Sequence, residues 1–527
     1  MPSQQSYDIA QASHSDDSMP AITEGIQLTL SKSQPSPKRK YANKQIDPAA
    51  AAKRLLGFSS LRPGQHEAIT ALLEGHDVVV VQPTGSGKSA IYQIAGELIG
   101  GPTVIISPLI ALQKDQADQI DSERRLSDPV VVNSTQSLSE HREVIEQIED
   151  GQARYIFLAP EQLRKQETLD SLQSGGVSLF VVDEAHCVSQ WGHDFRPDYL
   201  QISVAIEALN HPPVLAMTAT ASNRVRQELI DHLGMKDPKI IVQGFDRPNI
   251  SLRVDTFGTE DEKLEGVLRR VSYAEVPGIV YVSTHKHAES IAAELQQRGV
   301  DAVCYHGGMK SKDRAAIQDR FMKDEVPVIV ATNAFGMGID KPNIRFVYHA
   351  DVSESLDSYY QEIGRAGRDG KPAEAVLFFR SGDIGSQRYK TSSDRVDTEQ
   401  LEQVVGVLSQ KKPPINLEEL VDKTSLTPRK IINILYHLEE VGATEQLPTG
   451  EVKIATGKSI EEIAQAVADA QDQHNQLQRD RLEQMKTYAG HRGCRRKLLL
   501  QYFGDDYEGP CGNCDNCEAA GAHQTAA

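Results

Sequence analysis

Short apolar runs alternate with segments of helical spacing through the central part of the chain. The clearest run is Val78–Val81, whose β-branched side chains favour a strand covered on both faces. Similar runs are Thr103–Ser107, Tyr155–Leu158, Leu179–Val182, Val214–Met217, Gly278–Val282, Ala302–Tyr305 and Val328–Thr332. Leu109–Ile120 has the apolar spacing of a helix. This alternation predicts an α/β fold of parallel sheets with helices on both faces, in two successive domains that join near Asp246.

The pattern changes in the C-terminal third. Thr398–Ser409 has helical spacing, Asn416 is placed to cap a second helix, and Pro428 suits the first turn of a third. Two short strands with a turn between them follow, at Thr444–Gln446 and Val452–Ile454. These elements predict a small winged-helix-like α+β domain. Such folds place one helix on duplex DNA, so the candidate contacts are Arg429 and Lys430; a docking spacer without a DNA role is the alternative.

Composition narrows the possible functions. The chain has 527 residues, enough for three or four domains, and a formal charge of −18. This acidity excludes general coating of nucleic acid, so any DNA must bind in a local basic groove. Residues 1–48 are rich in Ser, Gln, Asp and Pro, which predicts a disordered tail. Within it Lys38–Lys40 is a nuclear signal, a weak DNA contact or, as the favoured interpretation, a solvated charge run. Without a secretory leader or a long apolar run, a soluble intracellular protein is predicted.

The loop after Val78–Val81 has the composition of a phosphate-binding loop. It reads PTGSGKS, in which Thr84, Gly85, Ser86 and Gly87 precede Lys88 and Ser89. Backbone N–H groups of such loops bind phosphates, the lysine reaches the outer phosphates, and the serine hydroxyl holds Mg²⁺. Gln82 stands where the usual pattern has glycine, and a turn that binds nothing is the alternative. Upstream, the amide of Gln65 suits an adenine edge, although taken alone Gln65 fits a plain surface residue better.

Two carboxylates follow Leu179–Val182 directly. Asp183 and Glu184 lie at the predicted carboxyl end of a strand, where parallel sheets carry their sites. Beside a triphosphate, Asp183 would hold Mg²⁺ and Glu184 would accept a proton from the attacking water. An exposed acidic turn is the alternative. Thr218 and Thr220, at another strand end, could relay hydrogen bonds between sites.

The segment after this acidic pair carries the chain's single tryptophan. Trp191 and Phe195 lie with Arg196 in a stretch bounded by Gly and Pro, away from an obvious core stripe. Aromatic faces near a cation suit stacking on unpaired bases, so these three residues are candidate contacts for single-stranded DNA. Packing of the two rings beneath the loop is the alternative.

The segment QEIGRAGRDG places two arginines among glycines. Arg365 and Arg368 would share one face if this segment were helical. From that face they could reach across a cleft to a nucleotide, and an arginine supplied in this way typically adds about 10³–10⁵ in rate to phosphoryl transfer. A basic surface turn is the alternative.

Four of the six cysteines lie near the C-terminus, at Cys494, Cys511, Cys514 and Cys517. Four thiolates make a closed tetrahedral site, which predicts a structural Zn²⁺ rather than disulfides. Ser459–Tyr488, ahead of this cluster, is interpreted as two helices packed as a hairpin. Basic residues flank the first cysteine and are predicted to form a patch for phosphates: Arg492, Arg495, Arg496 and Lys497.

Taken in order, these motifs resemble a known family. PTGSGKS, DEAH, TAT, FGMGID and QEIGRAGRDG are similar to the motifs of superfamily-two helicases, and LRPGQ with DEAHCVSQWGHDFRPDY is similar to the RecQ family. The resemblance implies RecA-like folds for the two α/β domains. The predicted organisation is a tail at 1–48, RecA-like domains at 49–245 and 246–382, the winged-helix-like domain at 383–456, a helical hairpin with the zinc module at 457–519, and a tail at 520–527.

The resemblance also implies roles for single residues. Gln65 would read adenine, and the ATP chemistry with Mg²⁺ would fall to Lys88, Ser89, Asp183 and Glu184. The residues facing ATP from the second domain would be Gln361, Arg365 and Arg368. The aromatic segment would sense single-stranded DNA, and Thr218 with Thr220 would couple the two sites. The family places its winged helix after the zinc module, whereas here the similar segment precedes it, so no strand-splitting hairpin is carried over.

The implied function is an ATP-dependent 3′-to-5′ DNA helicase that acts in repair and recombination. Its expected partners are single-stranded DNA and tailed or forked duplexes, with no membrane. We expect a monomer, in the cytoplasm with the nucleoid of a bacterium or in the nucleus of a eukaryote. Two other classes stay open at this point: an RNA-directed translocase, and a DNA-binding or annealing scaffold that ATP only switches.

Overall fold

The computed structural model describes most of the chain from residue 47 to residue 521. The described ranges are 47–83, 85–108, 113–114, 116–118, 129–133, 138–189, 202–336, 341–385, 396–410, 414–446 and 451–521, with the single residues 120, 199 and 339. The chain divides into two compact units. The larger comprises Ser36–Arg395 with Ala468–Ala527, and the smaller contains Val396–Val467.

The first lobe of the larger unit is built on a parallel sheet. Its strands are β1 (Val78–Val81), β2 (Thr103–Ile106), β3 (Pro129–Val132), β4 (Tyr155–Leu158), β5 (Leu179–Val182), β6 (Val214–Thr218) and β7 (Lys239–Val242). Its helices are α1 (Pro48–Leu56), α2 (Gln65–Leu73), α3 (Ser89–Ile99), α4 (Leu138–Glu149), α5 (Gln166–Gly175), α6 (Ile202–Ala208) and α7 (Asn223–Leu233). The described strands lie in the order β3-β4-β2-β5-β6-β1-β7, and every pair is parallel.

The second lobe repeats this architecture. Its strands are β8 (Ile250–Thr256), β9 (Gly278–Tyr281), β10 (Ala302–Tyr305), β11 (Val328–Ala331), β12 (Phe346–His349) and β13 (Ala373–Phe379). Its helices are α8 (Glu260–Tyr273), α9 (His285–Gln297), α10 (Ser311–Met322) and α11 (Leu356–Ile363). Among the described residues the strands pair in parallel in the order β10-β11-β9-β12-β13-β8, which confirms the predicted α/β class.

Buried apolar strands place two functional loops of the first lobe at one edge of its sheet. All four residues of β1 and all four of β5 are buried, as expected for β-branched and aromatic side chains covered on both faces. The loops that follow these two strands therefore emerge next to β6, which lies between them. This neighbourhood brings the phosphate loop and the acidic pair together.

The C-terminal module contains α15 (Ile460–Gly490), α16 (Arg495–Tyr502) and α17 (Asp515–Ala519); α12 to α14 belong to the smaller unit described below. The predicted helical hairpin over Ser459–Tyr488 is wrong, because α15 is one continuous helix of 31 residues. No glycine or proline interrupts the sequence between Ile460 and Ala489, so nothing breaks the helix.

The module packs on the second lobe through buried cations. Arg496 donates to the carbonyl of Ile250 in β8 (2.6 Å), and Arg495 donates to Asp515 Oδ1 (2.5 Å) and to the carbonyl of Tyr488 (2.8 Å). Both arginines are only 4% exposed. The predicted basic patch is therefore wrong for these two residues: their guanidinium groups satisfy internal acceptors, and of the four only Arg492 is fully exposed.

The same module touches the connection between the lobes. The ring of Phe503, just after α16, stacks on Phe245 with centroids 5.0 Å apart and lies 4.7 Å from the ring of Tyr360 in α11. Tyr360 in turn donates its hydroxyl to the carbonyl of Phe245. Arg226 of α7 donates to the carbonyl of Phe503 (3.0 Å). Thus one turn of the module contacts the first lobe, the connection and the second lobe.

The smaller unit consists of α12 (Thr398–Gln410), α13 (Leu417–Thr424), α14 (Pro428–Glu440), β14 (Thr444–Gln446) and β15 (Val452–Ile454). The two strands are antiparallel, and the Asn416 side chain accepts from the backbone N–H of Glu419 (2.8 Å) to cap α13. Three helices and a hairpin are therefore confirmed, while the turn at 447–450 lies outside the described residues. Arg429 and Lys430 are exposed in the first turn of α14.

Candidate nucleotide site and its surroundings

The phosphate loop between β1 and α3 is tied to two neighbouring segments. The backbone N–H of Gln82 donates to the carbonyl of Thr218 at the end of β6, and its side-chain Nε2 donates to the carbonyl of Pro63, both at 3.1 Å. Gly85 and Gly87 have φ angles of 80° and 85°, a region that glycine adopts without strain. The glutamine that replaces the usual glycine is thus a buried anchor of the loop. Thr84 lies outside the described residues.

Gln65 and Arg62 contact the same loop from the start of α2. Gln65 Nε2 donates to the carbonyl of Gly87 (2.9 Å), and its Oε1 accepts from the backbone N–H of Arg62 (2.8 Å). Gln65 is 2% exposed, which excludes a plain surface role. Arg62 Nη1 donates to the carbonyl of Gly85 (2.7 Å). Arg62 belongs to the LRPGQ segment, and its role could not be predicted from sequence because its contact depends on the folded loop.

Lys88 is half-buried in the phosphate loop, and its charge interacts with the acidic pair. Its Nζ donates to the carbonyls of Gln82 (2.8 Å) and Pro83 (3.3 Å). Burial lowers the pKa of Lys88, and the carboxylates of Glu184 and Asp183 act in the opposite direction. The ammonium group and the two carboxylates therefore share one site, as the sequence predicts.

The acidic pair follows β5 and is held in a fixed arrangement. Gln116 Nε2 donates to Asp183 Oδ2 (3.2 Å), and the backbone N–H of Glu184 donates to Asp183 Oδ1 (3.0 Å). Burial raises the pKa of Asp183 to about 6, with Glu184 adding to the rise and Lys88 opposing it. Asp183 is 6% exposed, which excludes an exposed acidic turn. Sequence reasoning missed Gln116, since nothing in its helical context marks one glutamine as a carboxylate partner.

Glu184 has a strained backbone, and its carboxylate lies next to a series of hydrogen-bonded side chains. Its φ and ψ of 47° and 45° are left-handed, which costs about 1–3 kcal/mol for a residue with a side chain. His186 Nδ1 lies 3.4 Å from Glu184 Oε2 and 3.0 Å from Thr218 Oγ1. Thr218 Oγ1 donates to the carbonyl of Thr220 (3.0 Å). Thr218 and Thr220, the predicted relay residues, are therefore connected to Glu184 through His186.

The aromatic segment begins and ends at anchored residues. Ser189 Oγ donates to Glu228 of α7 (2.6 Å), and the hydroxyl of Tyr199 donates to the carbonyl of Asp183 (3.5 Å). Residues 190–198 lie outside the described residues, and with them the predicted contacts Trp191, Phe195 and Arg196. The described residues Ser189 and Tyr199 are thus anchored, Ser189 to α7 and Tyr199 to the backbone of Asp183.

Arg368 of the second lobe lies against the phosphate loop of the first. A Cβ placed on Gly85 would be 3.5 Å from Arg368 Cδ, and the charge of Arg368 acts on Lys88. Arg368 Nη1 also donates to the carbonyl of Ile339 (2.8 Å). The nucleotide cleft therefore contains cations from both lobes.

Arg365 occupies a different position from Arg368. It is 4% exposed and donates to the carbonyl of Gly336 inside the second lobe. The condition under which both arginines would share a helical face is not met, because α11 ends at Ile363 and Gly367 turns the chain with a φ of 56°. Gln361 is half-buried in the last turn of α11.

The four clustered cysteines have the geometry of one metal site. The sulfurs of Cys494, Cys511, Cys514 and Cys517 all lie within 4.8 Å of one another, and Cys511 and Cys517 are 3.9 Å apart. A tetrahedral zinc with Zn–S bonds of about 2.3 Å requires sulfurs about 3.8 Å apart. The thiols present therefore fit a closed zinc site.

Family comparisons agree with these features. Residues 62–229 match the DEAD/DEAH box helicase family, residues 262–370 match the helicase conserved C-terminal domain, and residues 457–518 match the RecQ zinc-binding domain. The fold and the cleft thus define an ATP-dependent helicase with two RecA-like lobes. The chain belongs to the RecQ family of ATP-dependent DNA helicases.

Similarity to individual proteins extends over most of the chain. It is 35% identical over 471 residues to the probable ATP-dependent DNA helicase RecS of Bacillus subtilis, covering 89% of this chain and 90% of that protein. It is 34% identical to the ATP-dependent DNA helicase RecQ of Haemophilus influenzae, covering 88% of this chain and 62% of that protein. This chain therefore spans nearly all of RecS but under two thirds of that RecQ.

Solved structures share the fold at low identity. The DUF1998 helicase MrfA bound to DNA has a TM-score of 0.55 at 16% identity, covering 81% of this chain and 64% of that one. The helicase Lhr of Mycobacterium smegmatis, bound to ssDNA and AMP-PNP, has a TM-score of 0.52 at 20% identity, covering 80% and 62%. Among the described helices of this chain, none has the length and apolar character that crossing a membrane requires.

We expect Cys514→Ser to release the metal of the C-terminal module, because three thiolates leave a structural zinc site open. Metal analysis should find about one zinc per chain in the unmodified protein and a several-fold lower content in the variant. Cys304→Ser, which changes a cysteine remote from the cluster in sequence, is the matched control. Equal zinc in Cys514→Ser and Cys304→Ser would contradict the assignment.

Proposed function

We propose that this protein hydrolyses ATP between its two lobes and uses the energy to move 3′ to 5′ along single-stranded DNA, unwinding tailed or forked duplexes in repair or recombination. The contact of Arg368 with the phosphate loop carries the proposal, because a nucleotide bound there meets groups from both lobes. Movement of one lobe would then change the charge around the phosphates. The polarity follows the family resemblance.

Each residue of the cleft has a separate role in ATP binding or hydrolysis. When ATP binds, the Lys88 ammonium group leaves its two backbone carbonyl acceptors and contacts the outer phosphates. Ser89 and Asp183 hold Mg²⁺. Bound Mg²⁺ neutralises phosphate charge. Glu184, whose strained backbone fixes its direction, accepts the proton of the attacking water. Gln65 reads adenine, and Gly85 to Gly87 bind the phosphates with backbone N–H groups.

The second lobe supplies the groups that respond to closure. Arg368 stabilises the charge that develops on the transferred phosphoryl group, and Gln361 faces the nucleotide from the last turn of α11. Arg365, donating to Gly336, holds the segment that presents Arg368 and reaches the nucleotide only when the lobes close. This division gives the two arginines separate roles.

The nucleic-acid contacts are assigned to two other segments of the chain. Trp191, Phe195 and Arg196 stack on and neutralise single-stranded DNA, while Arg429 and Lys430 at the exposed start of α14 contact duplex phosphates. The thiolates of Cys494, Cys511, Cys514 and Cys517 hold a structural Zn²⁺. We further propose that the protein acts as a monomer on chromosomal DNA, in the nucleoid or the nucleus according to its source.

Strand displacement on a duplex with a 3′ tail tests the proposed activity directly. Lys88→Ala should lower ATP turnover and displacement by about 10²-fold or more, because the outer phosphates lose their cation. Lys53→Ala changes an exposed lysine of α1 and is the control. Full ATP turnover by Lys88→Ala would refute the proposed ATP site. Displacement only of strands with a 5′ tail would refute the proposed polarity. Equal stimulation of ATP turnover by single-stranded RNA and DNA would favour an RNA-directed translocase.

Trp191→Ala should separate DNA stimulation from basal ATP hydrolysis. A base stacked on an aromatic ring is worth about 1–3 kcal/mol, so half-maximal stimulation should need at least about fivefold more single-stranded DNA. Basal turnover should stay within about twofold, since the cleft is unchanged. Tyr273→Ala, which removes an 87% exposed ring at the end of α8, should behave as the unmodified protein. Identical DNA titrations for all three proteins would exclude the stacking role.

A further inference from the structure

The connection between the two lobes carries an arginine that holds a turn of the second lobe. Arg247 lies in this connection, residues 243–249, which runs from the end of β7 to the start of β8. Its Nη1 donates to the carbonyl of Gly364 (2.9 Å), and its Nη2 donates to the carbonyls of Ala366 (2.8 Å) and Gly367 (2.9 Å). One side chain therefore binds three carbonyls of a single short turn.

This turn joins α11 to Arg368. The helix ends at Ile363 with Gly364 as its C-cap, a place where carbonyls lack partners within the helix and a cation is favoured. Within the described part of the chain, the guanidinium group of Arg247 hydrogen-bonds to these backbone carbonyls and has no carboxylate partner. The guanidinium group therefore serves to fix the turn rather than to neutralise an acidic residue.

Asn249, two residues further along the connection, holds the same turn. Its Nδ2 donates to the carbonyls of Gly367 and Lys371, both at 2.8 Å. Gly367 has a φ of 56°, and a Cβ at this position would overlap Asn249 Nδ2. Glycine thus allows the two backbones to lie in direct contact. The turn before Arg368 is therefore packed on the connection as well as on its own lobe.

The C-terminal module fixes the connection at the residue between these two. Asn513 Nδ2 donates to the carbonyl of Pro248 (2.9 Å), and the backbone N–H of Asn513 donates to Cys511 Sγ (3.4 Å). The loop of the cysteine cluster therefore holds the backbone from which Arg247 and Asn249 reach the turn.

Arg368 extends from this turn to the first lobe. A Cβ placed on Gly85 of the phosphate loop would be 3.5 Å from Arg368 Cδ, and Arg368 Nη1 donates to the carbonyl of Ile339 (2.8 Å). Since Arg368 directly follows Gly367, a displacement of the turn also displaces Arg368 relative to the loop. Groups that act on a reaction lose much of their effect when they are displaced by about 1 Å. The hydrogen bonds of Arg247 therefore restrict a movement to which the cleft is sensitive.

We propose that Arg247 is a positioning residue for ATP hydrolysis, which sets the place of Arg368 against the nucleotide through its three hydrogen bonds to the turn. Arg247 acts through Arg368 and not on the nucleotide itself. Because Arg247 belongs to the connection, a change in the relative position of the lobes is passed to the turn directly. This inference rests on the proposed function, since it requires that Arg368 act on the phosphates.

A double-mutant cycle tests whether Arg247 acts through Arg368. ATP turnover at saturating ATP and single-stranded DNA is measured for the unmodified full chain, for Arg247→Gln, for Arg368→Ala and for the protein with both changes. Misplacement by about 1 Å can cost about 10²-fold, so Arg247→Gln should lower turnover by at least about tenfold. In the Arg368→Ala protein the same change should cost less than about twofold, because the group that Arg247 positions is already absent. The dissociation constant of a fluorescent ATP analogue should stay within about threefold for Arg247→Gln.

Two further variants serve as controls. Arg247→Lys keeps the charge but lacks the planar fork that reaches three carbonyls, so its turnover should lie between those of the unmodified protein and Arg247→Gln. Arg298→Gln is the matched control, because it removes an exposed guanidinium group that pairs with Glu265 in the same lobe (3.0 and 2.5 Å). Its turnover should stay within about twofold of the unmodified protein.

The unfolding midpoint of each variant identifies one that fails to fold. Should Arg247→Gln fail, Asn249→Ala decides by the same cycle, because it removes the other side-chain hydrogen bond to the carbonyl of Gly367. Unchanged turnover in the Arg247→Gln protein, or an equal fold-loss with and without Arg368, would overturn the inference. An Arg368→Ala protein with unchanged turnover would refute the proposed function instead.

Discussion

The structure depends on one contact across the cleft, between Arg368 of the second lobe and the phosphate loop at Gly85. Glycine is favoured on the loop side because its φ of 80° lies in the left-handed region, which strains any residue with a side chain. Around this contact the first lobe contributes Lys88 and the acidic pair, each fixed by a buried strand. The proposed site draws on residues of both lobes, so the proposed catalysis depends on the relative position of the lobes.

The C-terminal module extends that linkage beyond the cleft. Two of its arginines, which the sequence pattern assigns to nucleic acid, form hydrogen bonds inside the protein. Arg495 bonds within the module, and Arg496 bonds to β8. Phe503 packs on Phe245 in the connection between the lobes. A closed zinc site suits this role, because it stabilises a short segment that has little apolar core of its own.

Local chemistry explains which features could be predicted from sequence. Val78–Val81 and the cysteine spacing were interpreted correctly because a strand buried on both faces and a four-thiolate site need only neighbouring residues. The end of α11 and the burial of Arg495 could not be predicted, since both depend on partners distant in sequence, Ile344 for the turn at Gly367 and Asp515 for the guanidinium group. β7 was missed although its sequence KIIV contains three β-branched residues; in the fold Lys239 and Ile240 are exposed at the edge of the sheet.

The composite cleft is tested most directly by Arg368→Ala, with ATP turnover and the binding of a fluorescent ATP analogue measured on the same preparation. If Arg368 acts on the developing charge, turnover at saturating ATP and DNA falls about 10³-fold, while the dissociation constant of the analogue changes by less than about tenfold. Turnover that stays within about twofold of the unmodified protein would contradict the account, because the second lobe would then contribute nothing to the chemistry.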